Sequence, residues 1–141
     1  LEAALEEALE RRVWLKSGGY LVIEPTEALT VVDVNTGKYS GKKNAEDTIL
    51  KINLEAAAET ARQLCLRNLS GIIIVDFIDM AREEHKQQLL TVLEEELKKD
   101  PVKTVLVDMT KLGLVEITRK KVRKPLHEVY GRGVKPNGVP N

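Results

Sequence analysis

The sequence predicts an α/β protein with a mixed sheet, and three observations support this fold class. Short runs rich in Val and Ile are typical of buried strands. Two long segments that alternate with these runs repeat apolar residues at helical spacing. The opening part of the chain instead has short apolar runs separated by turn residues, which indicates an antiparallel meander. A meander followed by strand-helix-strand-helix-strand predicts helices packed on one mixed sheet.

The first half of the chain is predicted to begin with a helix, because Leu1, Leu5 and Leu9 recur with Glu residues between them. Three short strands follow, separated by turns at Ser17-Gly18-Gly19 and Pro25-Thr26-Glu27. These strands are predicted at 13–15, 19–24 and 29–34. A helix then runs over 44–67, with Asn44 as its N-cap.

The second half continues with a strand beginning at Gly71 and a helix over 82–99, which Asp100-Pro101 ends. Two more strands are predicted at 102–108 and 114–118. The last segment, 131–141, is rich in Gly, Pro and Asn and is predicted to be a disordered tail. Residues 1–130 therefore form one domain, and the opening in mid-pattern suggests a piece of a longer protein.

The composition is that of a soluble globular protein, and the chain is long enough to form a hydrophobic core. Its 141 residues are 43% hydrophobic and 31% charged, with 22 basic and 22 acidic residues. Cys65 is the single cysteine, which excludes an internal disulfide and fits a cytoplasmic protein. We see no membrane-spanning stretch and no signal peptide.

Two aspartates are the main candidates for chemistry, since each ends a strongly apolar run. Asp33 follows Leu29-Thr30-Val31-Val32, and Asp76 follows Ile72-Ile73-Ile74-Val75. In α/β sheets the carboxyl ends of strands are where ligands bind. If the two strands are neighbours, Asp33 and Asp76 converge and can hold Mg²⁺ through oxygen. Asn35 lies on the same face as Asp33 and is a candidate to steady a carboxylate.

Simpler interpretations of these residues stay open. Each aspartate can cap the loop after its strand, and Asn35 can be a turn residue. Asp79 is better explained as the N-cap of the following helix than as a site residue. His85 is interpreted as a surface residue, because nothing spaces it as a zinc ligand.

The basic run Arg119-Lys120-Lys121-Val122-Arg123-Lys124 contains five positive charges and no acid. It is a candidate phosphate clamp through Arg119, Lys120 and Lys121, and Lys38 and Lys42 lie near Asp33 in sequence. The alternative is a solvated surface segment. The chain contains only five aromatic residues, so we do not expect an extended base-stacking platform.

Several blocks, in order, resemble the ribonuclease E/G family. The N-terminal blocks are Arg12-Val13-Trp14-Leu15-Lys16-Ser17-Gly18-Gly19-Tyr20 and Asp33-Val34-Asn35-Thr36-Gly37. The central signature is Gly71-Ile72-Ile73-Ile74-Val75-Asp76-Phe77-Ile78-Asp79-Met80, and Leu112-Gly113-Leu114-Val115-Glu116-Ile117-Thr118-Arg119-Lys120 also matches. The resemblance covers roughly residues 11–126.

The resemblance implies a DNase I-like catalytic subdomain that cuts single-stranded RNA with Mg²⁺, in RNA processing and decay. The family's metal ligands fall on Asp33 and Asp76, and its supporting amide falls on Asn35. With RNA as the implied substrate, the residues of the phosphate clamp become candidate RNA contacts: Arg119, Lys120, Lys121, Lys38 and Lys42. Family members also have an S1 RNA-binding domain, a 5′-end sensing region and a zinc-binding cysteine pair, and the full-length enzyme is expected to be a homo-oligomer. This chain has none of these additional parts, so we expect an incomplete enzyme.

Two other functions remain open at this point. The first is a non-catalytic RNA-binding or dimerisation fragment of the same enzyme, which an RNA cleavage assay with Mg²⁺ would separate from an active one. The second is a nucleotide-binding fold of the actin or sugar-kinase type, in which a strand ending in Asp and a Thr-Gly loop also hold phosphate. The chain is short for the two lobes of such a fold.

Overall fold

A computed structural model describes residues 9–37 and 45–122 as one open, six-stranded mixed sheet with two helices packed on it. The strands are β1 (Arg12–Trp14), β2 (Tyr20–Pro25), β3 (Thr30–Asn35), β4 (Gly71–Asp76), β5 (Thr104–Met109) and β6 (Leu114–Arg119). The helices are α1 (Ala45–Leu66) and α2 (Glu83–Leu97). The predicted fold class is confirmed, and these elements begin and end within a residue or two of their predicted bounds.

Parts of the prediction lie outside the described residues. These are most of the opening helix, the proposed N-cap Asn44, the tail at 131–141, and the candidate RNA contacts Lys38 and Lys42. No helix within 9–37 or 45–122 combines the length and the hydropathy needed to cross a membrane.

The strand order is β1-β2-β3-β4-β6-β5. The first three strands form the predicted antiparallel meander. Strand β4 then pairs parallel to β3, with α1 as the crossover between them. Because β3 and β4 are parallel neighbours, their carboxyl ends meet at the same edge of the sheet.

The two faces of the sheet differ because side chains alternate along each strand. The face under α1 and α2 carries the core, which includes Leu21, Ile23, Val32, Ile73, Val75, Val115 and Ile117. From the helices, Ile52, Leu64, Leu89 and Leu93 pack against it. The opposite surface, which we call the open face, carries Arg12, Trp14, Tyr20, Asp33, Asn35 and Asp76.

One ion pair is buried with the core. The side chains of Arg119, at the end of β6, and Asp100, between α2 and β5, are only 0% and 3% exposed. Arg119 Nε donates to Asp100 Oδ2 at 2.7 Å, and its Nη1 donates to the Asn68 side chain and the Leu69 carbonyl, each at 3.0 Å. These bonds tie the ends of the two helices to β6.

Candidate active site

Asp33 and Asp76 lie side by side at the carboxyl ends of β3 and β4. The parallel register places them directly opposite each other, and neighbouring strands are about 4.8 Å apart. Both side chains are exposed on the open face. The condition set by the sequence, that the two strands be neighbours, is therefore met, and we call these residues the carboxylate pair.

The carboxylate pair has no positively charged ion-pair partner among the described residues. Partial burial raises the pKa of Asp76 above its ordinary value, and the nearby carboxylates of Asp33 and Asp79 raise this pKa further. Neither Asp33 nor Asp76 has an ion-pair partner among the described residues. Like charges held this close favour the binding of a cation.

Asn35 ends β3 on the same face, two residues after Asp33. Its Nδ2 donates to the main-chain carbonyl oxygen of Asp33 at 3.3 Å, rather than to a carboxylate. The amide thus supports the backbone that carries Asp33. This contact differs from the predicted one, in which the amide itself meets a carboxylate.

The backbone after β3 packs tightly against the β1–β2 turn. Gly37 has φ +68°, and a Cβ at this position would lie 2.4 Å from the carbonyl oxygen of Gly18. A Cβ on Gly19 would lie 2.7 Å from the carbonyl oxygen of Asn35. Such distances exclude side chains at both positions, so the turn and the end of β3 are held together through backbone contacts.

Helix α1 anchors the loops on both sides of the carboxylate pair. The fully buried side chain of Asn53 donates to the Ile78 carbonyl at 2.8 Å and accepts from the Ile78 amide at 3.0 Å. Two residues later in the same helix, Glu55 Oε1 accepts a hydrogen bond from the Ser17 amide at 3.1 Å. Sequence reasoning gave neither residue a role, although a polar Asn between Ile52 and Leu54 is a signal for a buried hydrogen bond.

Asp79 and His85 differ from their predicted roles. The N-cap position of α2 is occupied by Arg82, which makes no capping side-chain bond, so Asp79 is not the cap of this helix. His85 is buried at 8% exposure rather than lying on the surface, and its Nδ1 has no hydrogen-bond partner in the described part of the chain. Its spacing from Leu89 places it on the core side of α2.

Two lysines missed by the sequence analysis lie at the same edge of the sheet as Asp76. Lys86 from α2 and Lys111 from the β5–β6 turn line a crevice of about 240 Å³ together with Asp79. The turn belongs to this edge because Leu114, which follows it, pairs with Asp76. Positive side chains here are placed to meet a phosphate that approaches the carboxylate pair.

The predicted basic contacts are not gathered at this edge. Arg119 is buried and bonded to Asp100, so its prediction as an RNA contact is corrected: it is an internal ion-pair partner. Lys120 and Lys121 are exposed. They follow the end of β6 that pairs with Gly71, at the opposite end of β4 from Asp76. Five residues of strand separate these ends by about 17 Å.

The residues at this edge of the sheet fit a hard cation that takes only one or two of its ligands from the protein. Within 9–37 and 45–122, no group of three or more His, Cys, Asp or Glu side chains is arranged to hold a metal ion. Mg²⁺ is commonly held by one or two carboxylates, with water and substrate phosphate completing its shell. The exposed, unneutralised carboxylate pair matches that pattern of ligands.

Comparison with known proteins places this chain in a family. The sequence matches the Ribonuclease E/G family over residues 1–122. It is 54% identical to Ribonuclease G of Escherichia coli (strain K12) and of Salmonella typhimurium (strain SL1344), over 94% of this chain and 29% of each relative. It is 48% identical to Ribonuclease E of Nostoc sp., over 93% of this chain and 19% of that relative. The chain thus spans less than a third of the relatives it matches, and it belongs to the ribonuclease E/G family.

Proposed function

We propose that this chain carries the Mg²⁺ site of an endoribonuclease that cleaves single-stranded RNA. The observation that supports the proposal most directly is the register of β3 and β4, which sets Asp33 opposite Asp76 at the carboxyl edge of the sheet. The family match supports the reaction class, since its named relatives are ribonucleases.

The described residues divide the work at this site. Asp33 and Asp76 supply hard oxygen ligands and remain exposed on the open face, where an RNA backbone has access. When bound, Mg²⁺ supplies a Lewis acid that polarises a phosphoryl oxygen and activates water for in-line attack. Asn35 and Asn53 position the chain on either side of the pair through their bonds to the Asp33 and Ile78 backbones. Lys86 and Lys111 lie near enough to this edge to offset phosphate charge.

Cleavage of a labelled single-stranded RNA by Asp33→Asn and Asp76→Asn variants of the longer, full-length protein tests the proposal. Each change removes one charged ligand at constant side-chain volume, and we expect the cleavage rate in Mg²⁺ to fall by at least about 100-fold. Asp108→Asn is the matched control, because Asp108 is an exposed aspartate on β5 away from the pair. Near wild-type cleavage by either site variant, with native circular dichroism, would show that the metal assignment is wrong.

A second candidate is a non-catalytic RNA-binding or dimerisation fragment. The family match over residues 1–122 supports it equally, because a match in sequence does not distinguish a catalytic region from a non-catalytic one. The rate of RNA cleavage is compared between this chain and a longer chain that includes the regions present in those relatives. An incomplete enzyme should gain most at low RNA concentration, because tethered domains raise the effective concentration of substrate. Equal rates at low RNA would show that this chain grips its substrate unaided.

The wider context of the whole enzyme is also a proposal. We infer a DNase I-like subdomain, a role in RNA processing and decay in the cytoplasm, and assembly of the longer protein into a homo-oligomer. The family match supports these inferences. Sedimentation of the longer chain would test the oligomeric state, and accumulation of unprocessed RNA after its depletion would test the cellular role.

A further inference from the structure

An aromatic cluster lies on the open face beside the carboxylate pair. The rings of Trp14 on β1 and Tyr20 on β2 have centroids 5.1 Å apart, with their planes tilted by 54°. The guanidinium carbon of Arg12 lies 4.4 Å from the centroid of Tyr20 and 5.6 Å from that of Trp14. We call these three residues the aromatic cluster.

Strand register connects the aromatic cluster to the proposed metal ligands. Trp14 pairs with Tyr20, and Tyr20 pairs with Asn35. Arg12 lies two residues before Trp14 on β1. It begins a second row of directly opposed residues, which crosses the sheet through Val22, Asp33 and Asp76. Directly opposite residues on neighbouring strands share a face, so the cluster and the pair face the same side. Two strand spacings, about 10 Å, separate the strand of Trp14 from that of Asn35.

Core packing does not explain these rings. Val13 and Leu15, on either side of Trp14, turn toward the core. The intervening Trp14 is 62% exposed. Among the described residues, its ring contacts the ring of Tyr20 and the guanidinium of Arg12. The exposed part of the ring offers surface to a planar ligand. Large exposed aromatic side chains next to a site are typical of ligand contacts.

We propose that Trp14, Tyr20 and Arg12 stack with bases of single-stranded RNA that flank the phosphate at the carboxylate pair. This inference rests on the proposed function and names how the same site grips its substrate. Base–aromatic stacking tolerates any sequence because every base has a π-face, and Arg adds a cation–π contribution. The surface consists of two rings, so it is smaller than the extended base-stacking platform that we do not expect from five aromatic residues. The alternative occupant is a protein segment of the longer enzyme.

Trp14 is the only tryptophan of the chain, so its fluorescence reports on the cluster directly. The probe is a short single-stranded oligouridylate added without Mg²⁺, so that the proposed reaction is not supported, and inorganic polyphosphate is the base-free control. We expect the oligonucleotide to quench Trp14 emission and polyphosphate to leave it unchanged. Equal quenching by RNA and polyphosphate overturns the proposal. Absence of quenching by RNA at any concentration overturns it as well, and this is the result expected if the occupant is a protein segment.

Variants then separate stacking from charge. Trp14→Leu should weaken binding of a labelled oligonucleotide by about fivefold or more, with an unchanged dependence of affinity on salt. Trp14→Phe keeps a ring and should restore most of this loss. Ile72→Ala, an exposed apolar position at the far end of β4 on the same face, is the control and should bind as wild type. Wild-type affinity of Trp14→Leu would overturn the proposal.

The failure of this inference is distinguishable from failure of the nuclease proposal. Asp76→Asn should lose cleavage and retain quenching of Trp14. If RNA quenches Trp14 emission but no form of the protein cleaves RNA, the nuclease proposal is rejected and the stacking proposal is retained. If cleavage depends on Asp76 but RNA never quenches Trp14 emission, the stacking proposal alone is rejected.

Discussion

Two aspartates, one at the end of β4 and one near its beginning, lie in opposite electrostatic environments. At one end Asp76 is exposed, and burial together with Asp33 and Asp79 raises its pKa. Near the other end, burial by itself raises the pKa of Asp100, but hydrogen bonds from Arg119 and the Val102 amide hold this pKa below its ordinary value. An aspartate carboxylate thus stabilises the fold at Asp100, where a cation and hydrogen-bond donors surround it. At Asp76, which has no ion-pair partner among the described residues, the carboxylate is available to bind a cation.

Removing Asp100 should have the largest effect on stability. Asp100→Ala leaves the buried guanidinium of Arg119 without its partner, so we expect the free energy of unfolding to fall by about 3–5 kcal/mol. Asp76→Ala should change it by no more than about 0.5 kcal/mol, since Asp76 is exposed. Urea unfolding of both variants measures the difference. Glu24→Gln, which disrupts the exposed Arg11–Glu24 pair, serves as the control and should cost under about 1 kcal/mol. Equal losses at Asp76 and Asp100 would invalidate the contrast.

Removing Asn53 should weaken the Asp76 end of the sheet. Asn53→Ala deletes two bonds to the Ile78 backbone, and we expect a loss of about 1–3 kcal/mol in unfolding free energy with slower RNA cleavage. Thr60→Val is the matched control on the same helix. Thr60 is equally buried, and its hydroxyl has no hydrogen-bond partner among the described residues, so its removal should be nearly neutral. Similar losses in both variants would show that burial, rather than the Ile78 anchor, sets the cost.

Acid should act on the Asp100 end of the molecule. Because its folded pKa is lowered, Asp100 contributes stability that is fully present above its unfolded pKa of about 3.9 and is lost as pH falls through the folded value. The unfolding free energy of the wild type should therefore drop as the pH is lowered below about 5. Asp100→Asn should begin lower and drop less over the same range. Parallel curves for the two proteins would show that Asp100 does not titrate with folding.

The smallest effect is expected from Lys120 and Lys121. If RNA extends along the open face from Asp76 to this end, Lys120→Gln with Lys121→Gln should reduce the slope of log affinity against log salt by up to about 1.4, at 0.7 for each charge on a single strand. Binding to all sequences should weaken alike. Lys98→Gln, beyond the end of α2, is the control. An unchanged slope would identify the pair as solvated surface.

The fold class was predictable because its signals are local: apolar periodicity, turn residues and helix stops. Asp33 and Asp76 were predicted as candidates for the same reason, since each ends an apolar run, and the strand register sets them opposite each other. Arg119 was assigned by its charged neighbours in sequence, although its alternation with Val115 and Ile117 already placed it on the core face. His85 likewise lies four residues before Leu89, on the buried side of α2. The partners Asp100 and Asn68 are distant in sequence, and no local pattern names them.

The double anchoring by α1 has a consequence for how this molecule opens. The amides of Ser17 and Ile78 belong to separate loops, yet both donate to side chains of one helix, Glu55 and Asn53. Motion of α1 away from the sheet would release both amides in one event, as a single cooperative unit. Their hydrogen-exchange rates should therefore rise together under mild denaturant, and the loops on either side of the carboxylate pair should lose their order together.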